Sequence, residues 1–152
     1  MTITAKHTAA LAAFAAVALF VLAKALSLPP GVLVFSADGS GRGQGAILHA
    51  GTPHVADENF PARTGDVVEI YLTGPAANLE KCPTGAACEA AAAAVRIGGL
   101  DAVVLFAGRP AGASNRLQVN TRIPEGVAPG PRVPVLVEAW GQPGNEVTLA
   151  VR

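Results

Sequence analysis

Short runs in which apolar and polar residues alternate are the feature of this sequence that most constrains its fold. In residues 67–73, the apolar residues Val68, Ile70 and Leu72 occupy every second position. Because successive side chains of a β-strand point to opposite faces, this period of two predicts a strand with one buried face. Residues 116–123 show the same period, with apolar residues or threonine on one face and polar residues on the other.

Glycine and proline separate these runs and indicate the class of fold. The 152 residues include 17 Gly and 12 Pro, and short strands between such turns are typical of a sandwich of two antiparallel sheets. Gly98 and Gly99 give the clearest hairpin signal, because both tolerate the positive φ of a two-residue turn. The predicted strands are residues 32–35, 44–49, 67–73, 95–97, 101–106, 116–123, 133–139 and 147–151.

Length and charge limit the number of domains and the classes of partner. A chain of this length forms one domain core rather than two. Charged residues make up only 14% of the sequence, and the formal net charge is zero. Because nucleic acids and anionic membrane surfaces attract basic proteins, the charge gives no reason to expect either as a partner.

The first 25 residues differ in composition from the rest of the chain. They contain no acidic residue, and Lys6 and His7 precede an apolar run over residues 8–23. As a helix this run would be about 24 Å long, which is shorter than the roughly 30 Å hydrocarbon core of a bilayer. The Ala-Lys-Ala sequence that ends at Ala25 has the small-x-small pattern of a signal peptidase site. We therefore predict a signal peptide, with an uncleaved membrane anchor or a buried core helix as alternatives.

These features divide the chain into three predicted segments. Residues 1–25 are a signal peptide or membrane anchor, residues 26–30 are a linker stiffened by two prolines, and residues 31–152 are the β-sandwich domain. The predicted location is the periplasm or the cell exterior. If residues 8–23 are retained, a single N-terminal helix anchors the protein in the cytoplasmic membrane instead.

A series of short motifs in the predicted domain resembles one protein family. In chain order they are DGSGRGQ at 38–44, PARTGD at 61–66, VRIGG at 95–99, FAG at 106–108, LQVN at 117–120, IPEGV at 123–127 and VTLAVR at 147–152. Their order and spacing resemble the C-terminal domain that ends many long secreted proteins of acidobacteria. The resemblance implies an Ig-like antiparallel β-sandwich in an exported protein, and it implies no enzymatic activity.

The Gly-rich run at residues 38–43 predicts a turn rather than a ligand site. Phosphate-binding loops lie between a strand and a helix, so that backbone amides converge at the helix N-terminus. Here a strand is predicted to follow, and the run contains no lysine. Asp38 and Ser40 supply few of the several oxygen ligands that calcium requires. We therefore expect neither a cofactor nor a metal at this turn.

Cys82 and Cys88 are the only two cysteines, and they bound a seven-residue segment. In an exported protein, two cysteines this close predict a disulfide bond between them. Their spacing differs from the Cys-x-x-Cys of zinc and thioredoxin-like redox sites. Closing so small a loop contributes roughly 2 kcal/mol through loop-closure entropy.

No combination of residues predicts catalysis or metal binding. Three serines are candidate nucleophiles: Ser36, Ser40 and Ser114. None lies in a Gly-x-Ser-x-Gly sequence. The only grouping of metal-ligating residue types is His49, His54, Asp57 and Glu58, which we interpret as solvated polar side chains. The sequence thus predicts a protein that is not an enzyme and has no cofactor or metal.

Partner binding is predicted at the loops. Trp140 is the only tryptophan and lies in a predicted turn, where its indole either stacks on a sugar or protein partner or packs over the end of the sandwich. Because loops on a rigid scaffold commonly carry recognition, we predict contacts through Trp140, Gln142 and Asn145 and through the cysteine loop, residues 75–92. The predicted partner is a protein or a cell-surface glycan.

The resulting functional prediction is a non-catalytic, exported interaction or structural module of the cell envelope. Two alternatives remain open. One is a membrane-anchored accessory subunit of a larger complex, held by residues 8–23. The other is a carbohydrate-binding module that uses the loop with Trp140.

Overall fold

Every regular element in the described part of the chain is a β-strand. The computed structural model describes residues 33–74, 85–88, 93–113 and 115–152, so the predicted N-terminal segment, the linker and most of the cysteine loop lie outside them. Among these residues no helix is long and apolar enough to cross a membrane. The strands are β1 (Leu33–Val34), β2 (Ile47–His49), β3 (Val67–Thr73), β4 (Ala93–Ile97), β5 (Leu100–Ala102), β6 (Val104–Gly108), β7 (Leu117–Arg122), β8 (Gly130–Ala139), β9 (Gln142–Pro143) and β10 (Val147–Val151).

The strands form two antiparallel sheets. In the first sheet the order is β1-β3-β7-β6, with β2 also paired to β3. In the second the order is β10-β8-β4-β5, with β9 also paired to β8. Both sheets contribute to one hydrophobic core. The predicted all-β class and the two antiparallel sheets are confirmed, whereas the Ig-like topology stays a prediction.

Alternation along the strands explains where the core lies. The predicted inward residues of β3, Val68, Ile70 and Leu72, are fully buried. The register sets Ile70 opposite Val119 and Leu72 opposite Leu117 in β7, so the buried rows of the two strands are side by side. In the second sheet, burial likewise alternates along the last seven residues of β8. The period of two in the sequence therefore identified the buried faces correctly.

The predicted Gly98–Gly99 hairpin is confirmed, but the strand predicted after it is wrong as a single strand. Gly98 and Gly99 have φ values of 60° and 83° and join β4 to β5. The chain then leaves the second sheet, and β6 pairs with β7 in the first. Val103 lies at this crossing, and its carbonyl accepts hydrogen bonds from the Thr121 hydroxyl (2.9 Å) and the Arg122 amide (3.0 Å). The run over residues 101–106 is apolar on both sides of the crossing, so periodicity alone did not show the change of sheet.

The strands β1 and β2 lie end to end along the same side of β3. Leu33 is opposite Thr73, and His49 is opposite Val68. Between them, residues 36–45 leave the first sheet and reach the second. There the amide of Gly45 donates to the carbonyl of Thr148 (2.8 Å) in β10. The predicted strand over residues 44–49 is shorter for this reason, since its first residues pair with the other sheet.

The outer edge of β10 has backbone partners along its length. The amide of Thr148 donates to Gly43 (2.7 Å), and the amide of Ala150 donates to Ala56 (3.0 Å). Further along, the amide of Ala62 donates to Ala150 (2.9 Å), and the amide of Arg152 donates to Ala62 (2.9 Å). Residues 43–62 therefore cover one edge of the second sheet while β2, within the same segment, belongs to the first.

The outer edge of β6 is covered by residues 85–88. The amide of Cys88 donates to the carbonyl of Ala107 (2.8 Å), and the amide of Gly85 donates to that of Arg109 (2.8 Å). Gly108 lies between these two bonds, where a Cβ atom would overlap the carbonyl oxygen of Ala86. This close backbone approach requires glycine.

We expect Gly108→Ala to lower the free energy of unfolding by about 1–3 kcal/mol, because the added methyl group overpacks a buried site. Gly130→Ala is the matched control. Gly130 also lies in a strand, but its added Cβ would meet its nearest atom at 3.8 Å and its φ is not positive. Urea unfolding of both variants measures the difference. Equal midpoints would show that residues 85–88 can move away from β6 without loss of stability.

Candidate functional site

Two of the predicted partner-binding residues lie around a tight turn. Trp140 and Gly141 join β8 to β9, with φ values of 53° and 69°, and Ala139 is opposite Gln142. Two successive positive φ values are those of a type I′ hairpin turn. Ala93, the first residue of β4, is also opposite Ala139. The turn therefore lies where the chain enters β4 from the cysteine loop, and we name this part of the domain the Trp140 end.

Trp140 is half-buried and packs against the core. Its indole Nε1 is buried and has no hydrogen-bond partner among the described residues, and a positive φ is uncommon for so bulky a residue. Packing over the end of the domain, one of the two outcomes considered from the sequence, is what the structure shows for this ring. The half-buried ring offers less stacking surface than an exposed one, and partner binding by Trp140 stays a prediction.

The side chain of Asn145 holds the two sheets together. Its Oδ1 accepts from the amide of Val34 (2.6 Å), and its Nδ2 donates to the carbonyls of Val34 (2.9 Å) and Gly41 (2.7 Å). Val34 is in β1 of the first sheet, and Asn145 lies between β9 and β10 of the second. The carboxamide thus takes the place of a neighbouring peptide group at the edge of β1. The structure gives Asn145 a structural role, whereas the Gln142 side chain has no hydrogen bond within the described residues.

We expect Asn145→Ala to lower the free energy of unfolding by about 1–3 kcal/mol, because it leaves the amide and carbonyl of buried Val34 without partners. Asn115→Ala is the control, since Asn115 is exposed and its side chain has no hydrogen bond within the described residues; its backbone carbonyl accepts from the Thr73 hydroxyl. Thermal and urea unfolding measure both variants. If the two are equally stable, the contact between Asn145 and β1 is not a structural link.

The predicted cysteine pair is described only in part. Cys88 is buried within the hydrophobic core, and Cys82 lies outside the described residues. The disulfide between them therefore stays a prediction. Residues 85–88 pair with the last residues of β6, where Ala87 is opposite Gly108. Gly108 is in turn opposite Gln118, near the start of β7. This is the same end of the first sheet as β1, to which Asn145 binds.

The Gly-rich run forms the predicted turn, and its carboxylate is used within it. Gly39, Gly41 and Gly43 all have positive φ. Asp38 accepts hydrogen bonds from the Ser40 amide and the Ser36 hydroxyl, both at 2.9 Å. These bonds stabilise the ionised form, the Ser40 amide most strongly, and lower the pKa of Asp38 to about 2.

The depressed pKa of Asp38 fixes the sign of its effect on stability. Because the pKa is lower when folded than its ordinary value of 3.8, ionised Asp38 stabilises the fold above about pH 4, and that contribution is lost as the pH falls towards 2.

We expect ¹³C NMR titration to give a pKa of about 2 for the Asp38 carboxyl group. We expect Ser36→Ala to raise this pKa, because it removes one of the hydrogen bonds to the carboxylate. A pKa that Ser36→Ala leaves unchanged would contradict the role assigned to that hydroxyl.

A cleft of about 500 Å³ lies at the end of the domain opposite Trp140. Its position follows from the strand directions, since His49 ends β2 and Asp66 directly precedes β3. We name it the His54 cleft. Its lining includes Thr52, His54, Asn59, Phe60, Arg63 and Arg152.

Hydrogen bonds to the backbone fix the loop that forms the His54 cleft. The Nε2 of His49 donates to the carbonyl of Phe60 (2.8 Å), and this ring nitrogen carries a proton because a carbonyl oxygen only accepts. The carboxylate of Asp57 accepts from the amides of Asn59 (2.8 Å) and Phe60 (3.1 Å). At the other side of the loop, the Thr52 hydroxyl donates to the carbonyl of His49 (3.0 Å).

Phe60 is an exposed aromatic ring with a fixed position. Its ring stacks on that of His54, with centroids 4.8 Å apart and planes inclined by 26°. The residue is nevertheless 53% exposed. A ring that is supported on one side by a second ring and open to solvent on the other is a preformed apolar surface.

The cationic side chains of the His54 cleft have no partners within the described residues. Among the described residues, neither Arg63 nor Arg152 forms a side-chain hydrogen bond or ion pair. The one ion pair of the described residues joins Arg96 to Asp101 (2.9 Å), outside the cleft. Asp66 also lines the cleft, and one of its oxygens accepts from the Arg63 amide (2.9 Å). Among the described residues, the cleft therefore combines two guanidinium groups that have no partner with the side-chain carboxylate of Asp66.

His49, His54 and Asp57 stabilise the structure of this loop. Within the described residues no group of three or more His, Cys, Asp or Glu side chains is placed to hold a metal ion. His49 and Asp57 bind backbone groups, and His54 stacks on Phe60. From the sequence these residues were interpreted as solvated polar side chains, with metal binding as the alternative. Sequence reasoning overlooked Phe60 and Arg63, whose signal is an aromatic and a basic residue within a polar loop.

Comparison with known proteins gives no assignment. No protein-family model matches the chain, and neither a curated protein nor a solved structure matches it. The resemblance to the acidobacterial domain family stays a prediction.

Proposed function

We propose that this protein is a non-catalytic, exported interaction module of the cell envelope that recognises its partner through loop side chains at an end of the domain. The observation that carries the proposal is the coverage of three sheet edges among the described residues; the remaining edge strand, β5, is only three residues long. Residues 43–62 pair with β10, residues 85–88 pair with β6, and Asn145 pairs with β1. Because strand addition to a partner needs an unpaired edge, the loops are the better candidates for recognition.

The use of the candidate catalytic residues also supports this proposal. The hydroxyl of Ser36 donates to Asp38 and accepts from the amide of Gly41 (2.8 Å). The ring of His49 binds a backbone carbonyl, and that of His54 stacks on Phe60. Within the described residues, no serine hydroxyl is hydrogen-bonded to a histidine ring, which is the pairing that activates a serine nucleophile.

Export is supported by the N-terminal sequence and by the two cysteines. The alternative, a membrane-anchored accessory subunit, differs in retaining residues 8–23. N-terminal sequencing of the protein from cells that make it distinguishes the two. We expect the sequence to start at Leu26, whereas a start at Met1 or Thr2 in the membrane fraction would establish the anchored form.

Site-specific photocrosslinking in the same cells tests where the partner binds. We expect crosslinks from a photoreactive residue placed at Gln142, in the Trp140 end, or at Thr52, in the His54 cleft. Leu136, which is 42% exposed on the outer face of β8, is the control position. Crosslinks from position 136 alone would overturn recognition by the loops.

A further inference from the structure

We propose that the His54 cleft binds a carboxylate-bearing sugar, such as a uronic acid unit of an acidic cell-surface polysaccharide. The inference rests on the proposed function, because it assigns a class of ligand to one of the two loop ends. It moves the predicted glycan contact from Trp140 to the opposite end of the domain. The cleft volume of about 500 Å³ is within the range of small-molecule sites.

The ring of Phe60 supplies an apolar surface for one face of a sugar ring. It is 53% exposed, and His54 supports it from one side. Two backbone hydrogen bonds hold the residue, one from its amide to Asp57 and one from the His49 ring to its carbonyl. A sugar bound there would remove apolar surface from water without the entropic cost of ordering the loop.

The guanidinium groups of Arg63 and Arg152 supply the charge that a carboxylate requires. Both line the cleft, and neither has a side-chain partner in the described part of the chain. Arginine binds carboxylates through two parallel hydrogen bonds, which sets the orientation of the ligand as well as its charge. A neutral sugar would leave these groups unpaired.

Polar groups in the cleft favour a ligand that has hydroxyl groups. The Asn59 side chain has no hydrogen bond within the described residues, and Asp66 uses only one carboxylate oxygen, for the Arg63 amide. The other oxygen of Asp66 is available to accept a hydrogen bond from a hydroxyl group. A uronic acid has the hydroxyl donors, the apolar ring face and the carboxylate that these side chains require together.

The backbone around the cleft argues against an extended peptide as the ligand. Peptides that lack deep side-chain pockets commonly bind by adding a strand to a free sheet edge. Here the edge of β10 next to the cleft is already paired with Ala56 and Ala62. Recognition at this end therefore depends on side chains.

Isothermal titration calorimetry of the purified full-length protein tests the assignment. The probe is a trimer of galacturonic acid, and a neutral galactose trimer is the reference ligand. We expect binding of the acidic trimer only. Arg63→Gln should weaken it by about tenfold to a hundredfold, the range for losing hydrogen bonds to a charged group. Phe60→Ala should also weaken it.

Matched variants separate the site from general effects of charge and folding. Arg42→Gln makes the same change of charge on an exposed arginine of the Gly-rich turn, and Leu136→Ala removes an exposed apolar side chain from the outer face of β8. Both should bind the acidic trimer as the unchanged protein does. Equal weakening by Arg42→Gln, or equal affinity for the neutral trimer, would overturn the proposal.

Failure of this inference is distinguishable from failure of the proposed function. If the acidic trimer does not bind but crosslinks still form at Thr52 or Gln142, the ligand class is wrong and the interaction module stands. If a glutamate oligopeptide binds as tightly as the trimer and is weakened by the same variants, the cleft takes an acidic peptide and the sugar assignment is wrong. If the trimer binds and is hydrolysed, the site stands and the non-catalytic function is wrong.

Discussion

Backbone hydrogen bonding at the sheet edges is the constraint on which the rest of the structure depends. Buried amides and carbonyls need partners, and each edge strand of an open sheet has a row of amides and carbonyls that no strand pairs with. This chain meets the requirement with segments that belong to both sheets. Residues 43–62 contribute β2 to the first sheet and also pair with β10 of the second. The same pairing fixes the loop at the entrance to β3, so the geometry of the His54 cleft follows from how the edge is covered.

Local periodicity was sufficient for the strands whose two faces differ in polarity. The predicted bounds of β3 and β10 match the structure, and those of β7 differ by one residue at each end. In β3 and β7 the alternation follows from the burial of one face in the core. The same reasoning failed where partners are distant in the sequence. Nothing near Val103 shows that β5 and β6 join different sheets, and nothing near Gly45 shows that it pairs with Thr148. Those pairings depend on the whole set of strands and not on the local pattern.

At the candidate site, too, the sequence indicated some features and the fold decided others. Trp140 was selected as the only tryptophan and Asn145 for its place in a predicted loop. In the structure Trp140 packs against the core, and the Asn145 side chain takes the place of a peptide group. Phe60 and Arg63 lie in a loop that resembles ordinary solvated sequence. Arg152 is distant from both in the chain, and the pairing of Ala62 with β10 brings it to the cleft. A residue type identifies a potential ligand-binding group, but the fold decides which groups meet.

The double use of residues 43–62 also constrains the order in which the molecule folds. This segment precedes most of the strands, whereas β10 follows all of them. The long separation in sequence makes this contact slow to form, because a long loop must close before the new hydrogen bonds compensate for the conformational entropy lost on closing it. Until that contact forms, the edges of the early strands remain open to other chains. The fold is therefore completed only when the last strand of the chain pairs with one of its earliest segments.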